Sequence, residues 1–193
     1  MKPYRWILGS QSPRRKELLA TLGHPFEIRT LEGHSEAYPE TLPLEEVPRY
    51  LSQLKAEQLR STLQADELLI TADTVVLLDG EILGKPHDLD DARRMLRLLS
   101  GRQHEVVSGV SLTTTEWQRS FASHTRVTFA SLTDSEIDHY VAHYRPLDKA
   151  GAYGIQEWIG YIGVSHIEGS FYNVMGLPVQ RLYCELRDAD LLP

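Results

Sequence analysis

Two arginines open a helix that follows a short loop of small residues near the start of the chain. The apolar run Tyr4–Leu8 predicts a buried strand, and Lys16–Gly23 predicts an amphipathic helix that ends at its glycine. Ser12 is the expected N-cap, so Arg14 and Arg15 fall in the first turn, where a cation opposes the helix dipole. Backbone N–H groups and two guanidiniums at a helix N-terminus suit a phosphate chain. A solvated basic turn is an equally weighted alternative.

One acid interrupts the most apolar stretch of the chain. The segment Leu68–Leu78 is rich in apolar and β-branched residues and predicts a strand buried on both faces. Asp73 lies in its middle, where a carboxylate needs a cation, hydrogen bonds or a metal, because an unpaired buried charge is costly. A tight turn at Asp79-Gly80 predicts a hairpin. Its return strand leads to Lys85, which can lie beside Asp73 either as a structural ion-pair partner or as a phosphate ligand.

Small residues surround four polar ones between Asp148 and Gln156. Two glycines and two alanines would let a ligand approach the backbone closely. The acid, base, phenol and amide of this segment can hold a flat hydrogen-bonding ligand such as a nucleobase. Taken alone, the segment is a weak indication of a binding site.

Alternating helices and strands predict the framework that positions these residues. Helical spacing runs from Leu44 to Leu63, with Lys55 in the middle, and Glu36 lies in the polar loop before it; water contact is the simplest interpretation of both. The further predicted helices are Asp88–Leu99, Thr133–Tyr144 with a capping box, and Val179–Leu186. The further predicted strands are His104–Leu112, Arg119–Ala130 and Tyr161–Ile167.

Size and composition limit the classes of protein to consider. A chain of 193 residues suits one large domain or two small lobes. The net charge of −7 argues against general nucleic-acid binding but not against a small polyphosphate, which needs only a local basic cluster. The single cysteine excludes an intrachain disulfide. No apolar run has membrane-spanning length and the start lacks a signal-peptide pattern, so we expect a cytoplasmic protein without membrane partners.

Six segments in order resemble the Maf family of nucleoside triphosphate pyrophosphatases, over about residues 4 to 187. The six segments are Ser10–Arg15, Ala72–Thr74, Gly84–Pro86, Leu99–Gly101, Asp148–Gln156 and Gly169–Pro178. Each is modest alone, and together they are specific. The intact Asp-Lys-Ala-Gly-Ala-Tyr-Gly-Ile-Gln run resembles the branch that hydrolyses dTTP and UTP, not the branch that acts on 7-methyl-GTP.

The resemblance implies a fold, a reaction and a cofactor. The implied fold is α/β and spans residues 1–193 as a single domain, with a central twisted mixed sheet flanked by helices and two lobes around a cleft. It is related to inosine triphosphate pyrophosphatases. The implied reaction cleaves a nucleoside triphosphate between its α- and β-phosphates, giving the monophosphate and pyrophosphate. It requires a divalent cation, Mg²⁺ or Mn²⁺, and the resemblance also points to a homodimer.

The resemblance also implies roles for individual residues. Asp73 matches the family's proton acceptor. Positions tied to substrate choice match Arg14, Thr74 and Gln156, and further site positions match Ser10, Arg15, Glu36, Lys55 and Lys85. The family often has paired acids where this chain reads His34-Ser35-Glu36-Ala37. Only Glu36 remains there, so Glu36 and Asp73 are the candidate metal ligands, and Asp73 can be either the base or mainly a ligand.

Two other classes of function compete with this interpretation. One is a non-catalytic nucleotide-binding regulator of septum formation, which would have no need for a buried base such as Asp73 or for Lys85. The other is a different phosphohydrolase, such as a P-loop enzyme. The chain has no Gly-x-x-x-x-Gly-Lys-Ser/Thr run, which argues against a P-loop.

Overall fold

The computed structural model describes residues 4–30 and 37–192, and its strands form one seven-stranded sheet. The strands are β1 (Arg5–Leu8), β2 (Phe26–Ile28), β3 (Glu67–Leu78), β4 (Glu81–Leu83), β5 (Gln103–Thr113), β6 (Gln118–Phe129) and β7 (Val164–Glu168). The helices are α1 (Pro13–Ala20), α2 (Val47–Arg60), α3 (Leu89–Leu99), α4 (Asp134–Tyr144), α5 (Trp158–Gly163), α6 (Phe171–Met175) and α7 (Val179–Asp188). Single 3₁₀ turns cover Leu44–Glu46 and Ala150–Ala152.

The sheet is mixed, as the sequence predicts. Its order is β2-β1-β3-β5-β6-β7, and β4 pairs with β3 at the side. Strand β1 runs parallel to both β2 and β3, whereas the β3–β4 and β6–β7 pairs are antiparallel. The predicted α/β class with a central mixed sheet flanked by helices is therefore confirmed.

The chain divides into two compact units. The first contains the described residues up to 73, residues 108–123 and those from 176 onward; the second contains residues 74–107 and 124–175. The long strands β3, β5 and β6 each contribute residues to both units. That the whole chain acts as a single domain stays a prediction.

A buried carboxylate in β3 binds arginines from β1 and from just after the end of β2 in the first unit. The Glu67 side chain, at the start of β3, is only 1% exposed. It accepts hydrogen bonds from Arg29, at 2.7 and 2.9 Å, and from Arg5, at 3.0 Å. Hydrogen bonds from the Arg29 guanidinium are the main reason that the pKa of Glu67 falls to about 2. Because both Arg5 and Arg29 are charged partners, the buried Glu67 carboxylate is tolerated among apolar strands.

Helix α2 packs unusually close to β5 and β3 in the first unit. A Cβ built on Gly109 of β5 would lie 2.2 Å from the Arg49 amide nitrogen, so only glycine allows this contact. Beside it, the Thr71 hydroxyl of β3 donates a 2.7 Å hydrogen bond to the Ser52 carbonyl oxygen, and Ser52 Oγ lies 2.9 Å from Ser111 Oγ. These contacts fix both the distance and the rotation of α2 against the sheet.

The second unit has its own apolar core and shows the turn chemistry expected from the sequence. Helix α3 packs on α4 and on the Ala150–Ala152 turn. Asp79 and Gly80 both have positive φ, 52° and 79°, as a type I′ hairpin turn requires. Thr133 and Glu136 form the predicted capping box at the start of α4.

The predicted strand Tyr161–Ile167 is wrong over its first half. Residues 158–163 form helix α5, and β7 begins only at Val164. A short apolar run fits a helix turn or a strand equally well by periodicity. The chain is tightly packed at this point, because a Cβ on Gly160 would lie 1.8 Å from the Ile155 carbonyl oxygen and a larger residue could not enter.

Within the described ranges 4–30 and 37–192, no helix is long and apolar enough to cross a membrane.

The close approach of α2 predicts a strong stability difference between two glycines. Gly109→Ala should lower the free energy of unfolding by about 2–3 kcal/mol, because the new methyl group meets backbone that cannot move aside. Gly84→Ala is the matched control, since no atom lies within 4 Å of its built Cβ. Urea unfolding of both variants measures the difference, and equal stabilities would contradict the packing described here.

Candidate functional site

The loop between β1 and α1 is held by its own serines and arginine. Ser12 caps α1 as predicted, because its hydroxyl oxygen accepts a hydrogen bond from the Arg15 amide. The Ser10 hydroxyl oxygen accepts from the Ser12 amide at 3.2 Å and from Arg15 Nη1 at 3.5 Å. Arg15 Nε also donates to the Gly176 carbonyl oxygen at 2.9 Å. Arg15 thus braces the loop, while Arg14 lies beside it in the first turn of α1.

Gly9 places this loop directly on β3. Its amide donates a 2.8 Å hydrogen bond to the Ile70 carbonyl oxygen. A Cβ built on Gly9 would lie 2.6 Å from Thr71 Cγ2, so the backbone approaches β3 more closely than any larger residue would allow. The loop therefore begins two to three residues along β3 from Asp73.

Asp73 forms an ion pair with Lys55 of α2. Lys55 Nζ lies 2.5 Å from Asp73 Oδ1, and both side chains are 13% exposed. Thr71 and Asp73 share one face of β3, while Ser52 and Lys55 share one face of α2. The Thr71–Ser52 hydrogen bond therefore also aligns Lys55 with Asp73. The interpretation of Lys55 as a solvated lysine is therefore wrong. Lys55, and not Lys85, is the ion-pair partner of Asp73.

The predicted site residues divide between the two units. Ser10, Arg14, Arg15, Lys55 and Asp73 belong to the first unit, and Thr74, Lys85 and Gln156 belong to the second. Ser10 contacts Arg15, and Lys55 contacts Asp73. Thr74 is half-buried in β3, whereas Lys85 is exposed after β4. The prediction for Glu36 lies outside the described residues.

The segment from Asp148 to Gln156 has the close-packed backbone that its small residues indicate. Gly151 adopts a positive φ of 67°, and its amide donates a 3.1 Å hydrogen bond to the Gly84 carbonyl oxygen, next to Lys85. Within the part of the chain that the structure describes, the buried Gln156 Oε1 has no hydrogen-bond partner. An unsatisfied buried acceptor costs about 1–3 kcal/mol, which a ligand N–H would recover.

A chain of polar contacts joins residues on either side of Gln156 in the segment. Lys149 is 8% exposed, and its Nζ lies 2.7 Å from Asp148 Oδ1 and 3.2 Å from Glu157 Oε1. The Tyr140 hydroxyl donates to Glu157 Oε2 and accepts from the Gly154 amide at 3.0 Å. Burial, together with the Glu157 carboxylate, raises the pKa of Tyr140 far above its usual value, so the hydroxyl keeps its proton.

A divalent cation at Asp73 would have to be held partly by a ligand. No group of three His, Cys, Asp or Glu that could hold a metal occurs among residues 4–30 and 37–192. Mg²⁺ is commonly bound through one or two carboxylates plus substrate phosphates, so a single carboxylate such as Asp73 is enough on the protein side.

Sequence comparison assigns the chain to a family. The family model for Maf-like proteins matches residues 5–189. The chain belongs to the Maf-like family. A relative from Phocaeicola vulgatus, named dTTP/UTP pyrophosphatase, is 59% identical over 187 residues that cover 97% of each chain. A relative of the same name from Bacteroides thetaiotaomicron is 57% identical over 95% of each chain.

Structural comparison of this Maf-like chain gives weaker similarities. A HAM1 protein from Coxiella burnetii aligns with 96% of this chain and 99% of its own, at 14% identity and a TM-score of 0.49. A TM-score below 0.5 supports no conclusion, so kinship with inosine triphosphate pyrophosphatases stays a prediction.

The sequence indicated no role for Tyr140 or Glu157 of this Maf-like chain, and Lys149 was predicted only as one of the polar residues able to hold a ligand. A lysine among alanines and glycines, followed eight residues later by an acid, was the available signal for the Lys149–Glu157 pair. Nothing in the spacing indicated Tyr140, because it comes from α4 and meets the segment only in the folded chain.

The Lys55–Asp73 ion pair makes a prediction about stability. Lys55→Met should lower the free energy of unfolding by about 2 kcal/mol, because it leaves the Asp73 carboxylate mostly buried without its cation. Adding Asp73→Asn should restore part of the loss, since the unpaired charge is then gone. Lys16→Met, at an exposed position of α1, is the control. Chemical unfolding of the four proteins tests this, and a Lys55→Met effect no larger than the control would contradict it.

Proposed function

We propose that this Maf-like protein is a nucleoside triphosphate pyrophosphatase that hydrolyses dTTP and UTP to the monophosphate and pyrophosphate. The observation that carries the proposal is the mostly buried Asp73 carboxylate, held by Lys55 and placed just beyond the loop at the start of α1. The relatives named dTTP/UTP pyrophosphatase support the choice of substrates.

The first unit supplies groups for a triphosphate. Phosphoryl transfer depends mainly on positioning and on neutralising charge, with little covalent chemistry from the protein. Arg14, Arg15 and Lys55 provide cations, and amides at the start of α1 provide N–H donors. Ser10 accepts hydrogen bonds within the loop, and its own hydroxyl proton can be donated to a phosphate oxygen. Lys85, exposed after β4, is a further residue that we assign to phosphate binding.

Asp73 is the proposed proton acceptor. Lys55 holds Oδ1 and fixes the direction of the carboxylate, so that Oδ2 can take a proton from the attacking water. The water oxygen then forms a new bond to phosphorus as the α–β phosphoanhydride bond breaks. The monophosphate and pyrophosphate leave as separate anions, and the proton returns from Asp73 to solvent.

We propose that Asp73, with Glu36 as second ligand, also holds a divalent cation, Mg²⁺ or Mn²⁺. When bound, such an ion neutralises phosphate charge and lowers the pKa of water. The chemistry of a single carboxylate beside a polyphosphate site supports this assignment.

The second unit supplies groups for the base. Gln156 Oε1 is buried and lacks a partner within the described residues, and it can accept the N3–H of uracil or thymine while the amide nitrogen donates to O4. Thr74 of the second unit and Arg14 of the first unit are the further positions that we assign to substrate choice.

We also propose a cytoplasmic location, where nucleoside triphosphates are made and used, and a homodimer. Exposed aromatic side chains in the second unit support the homodimer. Tyr161 is 79% and Tyr172 49% exposed, and aromatic residues are enriched at protein interfaces.

Replacing the proposed base should separate turnover from binding. Asp73→Asn keeps the shape but loses the proton acceptor, so kcat for dTTP should fall about 10²-fold or more. The Kd of a non-hydrolysable dTTP analogue should stay within about tenfold, because one contact among many is changed. Asp79→Asn, at the exposed hairpin turn, is the control. Pyrophosphate release measured with Mg²⁺ decides the outcome. If the wild-type protein binds dTTP but releases no pyrophosphate, it is a nucleotide-binding protein without catalysis.

Removing the Gln156 amide should reduce discrimination between pyrimidines. CTP carries an amino group at position 4 and no N3 proton, so it cannot pair with Gln156 as UTP does. One neutral hydrogen bond contributes about 0.5–1.5 kcal/mol, so Gln156→Ala should lower the UTP-to-CTP ratio of kcat/KM several-fold. Rates with both substrates, for wild type and variant, provide the measurement. An unchanged ratio, or a wild-type preference for purines, would refute this role.

A further inference from the structure

The side chains of Tyr140 and Glu157 are linked to each other and to the segment that contains Gln156 in the second unit. Tyr140 has no exposed surface, yet its hydroxyl joins the Gly154 amide to the Glu157 carboxylate. Glu157 in turn lies 3.2 Å from the Lys149 ammonium. The chain of contacts therefore meets the backbone two residues before Gln156 and a side chain one residue after it.

This polar chain is costly to build inside an apolar core. Tyr140 belongs to the same buried cluster as Val141, Ile155 and Ile159, where a phenylalanine would pack without any polar atom to satisfy. A satisfied buried network holds its members in one arrangement, since each donor and acceptor must meet its partner. Tyr140 and Glu157 therefore hold the segment around Gly154 in a single conformation.

The close packing of Gly154 transmits this constraint to Gln156. A Cβ built on Gly154 would lie 2.8 Å from Glu157 Cδ and 3.1 Å from Gln156 Nε2. The Glu157 side chain cannot shift freely, because Tyr140 and Lys149 hold its two oxygens. The Gln156 amide thus lies against a backbone whose position the network sets.

We propose that Tyr140 and Glu157, with Lys149 as counter-ion, are positioning residues that fix the Gln156 carboxamide for selection of the pyrimidine base. Neither Tyr140 nor Glu157 needs to touch the nucleotide for this role. The proposal rests on the proposed function, because it deepens the part assigned to Gln156.

Tyr140→Phe tests the proposal by removing one hydroxyl and keeping the ring. We expect the UTP-to-CTP ratio of kcat/KM to fall about fivefold, mainly through a higher KM for UTP, because the Gln156 hydrogen bond is misplaced. The control is Tyr144→Phe, which removes the hydroxyl of a 41% exposed tyrosine stacked on Tyr140 in the same helix. This control should leave the ratio unchanged.

A double-mutant cycle distinguishes positioning from a general structural role. Once Gln156→Ala has removed the amide, adding Tyr140→Phe should change the UTP-to-CTP ratio no further. Glu157→Gln is the second variant, and it is used if Tyr140→Phe does not fold. It keeps an acceptor for the Tyr140 hydroxyl but loses the charge facing Lys149, and it should lower the ratio in the same direction.

Several outcomes would overturn the proposal. Equal losses on UTP and CTP would do so, as would independent effects of the two substitutions in the cycle or an unchanged ratio in folded variants. The same ratios are measured as Kd values for non-hydrolysable UTP and CTP analogues. A wild-type protein that releases no pyrophosphate from UTP refutes the proposed function, whereas the Kd ratios still decide whether Tyr140 acts through Gln156.

Discussion

A carboxylate in the interior of a central strand constrains the first unit of this protein. Asp73 lies in the middle of the largely apolar β3, and a mostly buried negative charge must have a cation within reach. Lys55 provides it from α2, at 2.5 Å. The helix therefore has to lie at a set distance and rotation from the strand. Much of the packing around α2 can be understood as the means of meeting that requirement.

Close backbone contacts meet the requirement on two sides. At Gly109 the backbone of α2 lies against β5, and at Gly9 the loop before α1 lies against β3. Each contact excludes even a methyl group, so neither element can slide without losing its packing. The Thr71–Ser52 hydrogen bond adds direction to this close approach. As a result, the cations of the loop and the Asp73–Lys55 pair are carried by elements that have little freedom to move.

In the second unit, polar contacts rather than close backbone packing restrict the movement of the candidate site residue. The candidate base-reading residue, Gln156, lies in a segment of small residues that by themselves would leave the chain flexible. Rigidity comes instead from buried polar contacts, which join α4 to the segment through Tyr140 and Glu157. The two units thus combine apolar close packing with a polar network, and each surrounds a residue whose direction matters for the proposed chemistry.

Local signals in the sequence determined the elements and the types of residue in the site. The Ser12 cap, the Asp79-Gly80 turn and the Thr133–Glu136 capping box depend on neighbours within a few residues, so the sequence predicts them correctly. The apolar setting of Asp73 likewise indicated a charge in need of a partner.

Only the tertiary structure decided which partners these residues have. Lys55 is 18 residues from Asp73, and Tyr140 is 17 residues from Glu157, so no local spacing could reveal either contact. The helix at 158–163 was missed for a different reason, because a short apolar run fits a helical turn or a strand equally well by periodicity. The sequence shows which residues require a partner, such as a buried charge that requires a counter-ion. The tertiary structure determines which distant residue provides that partner.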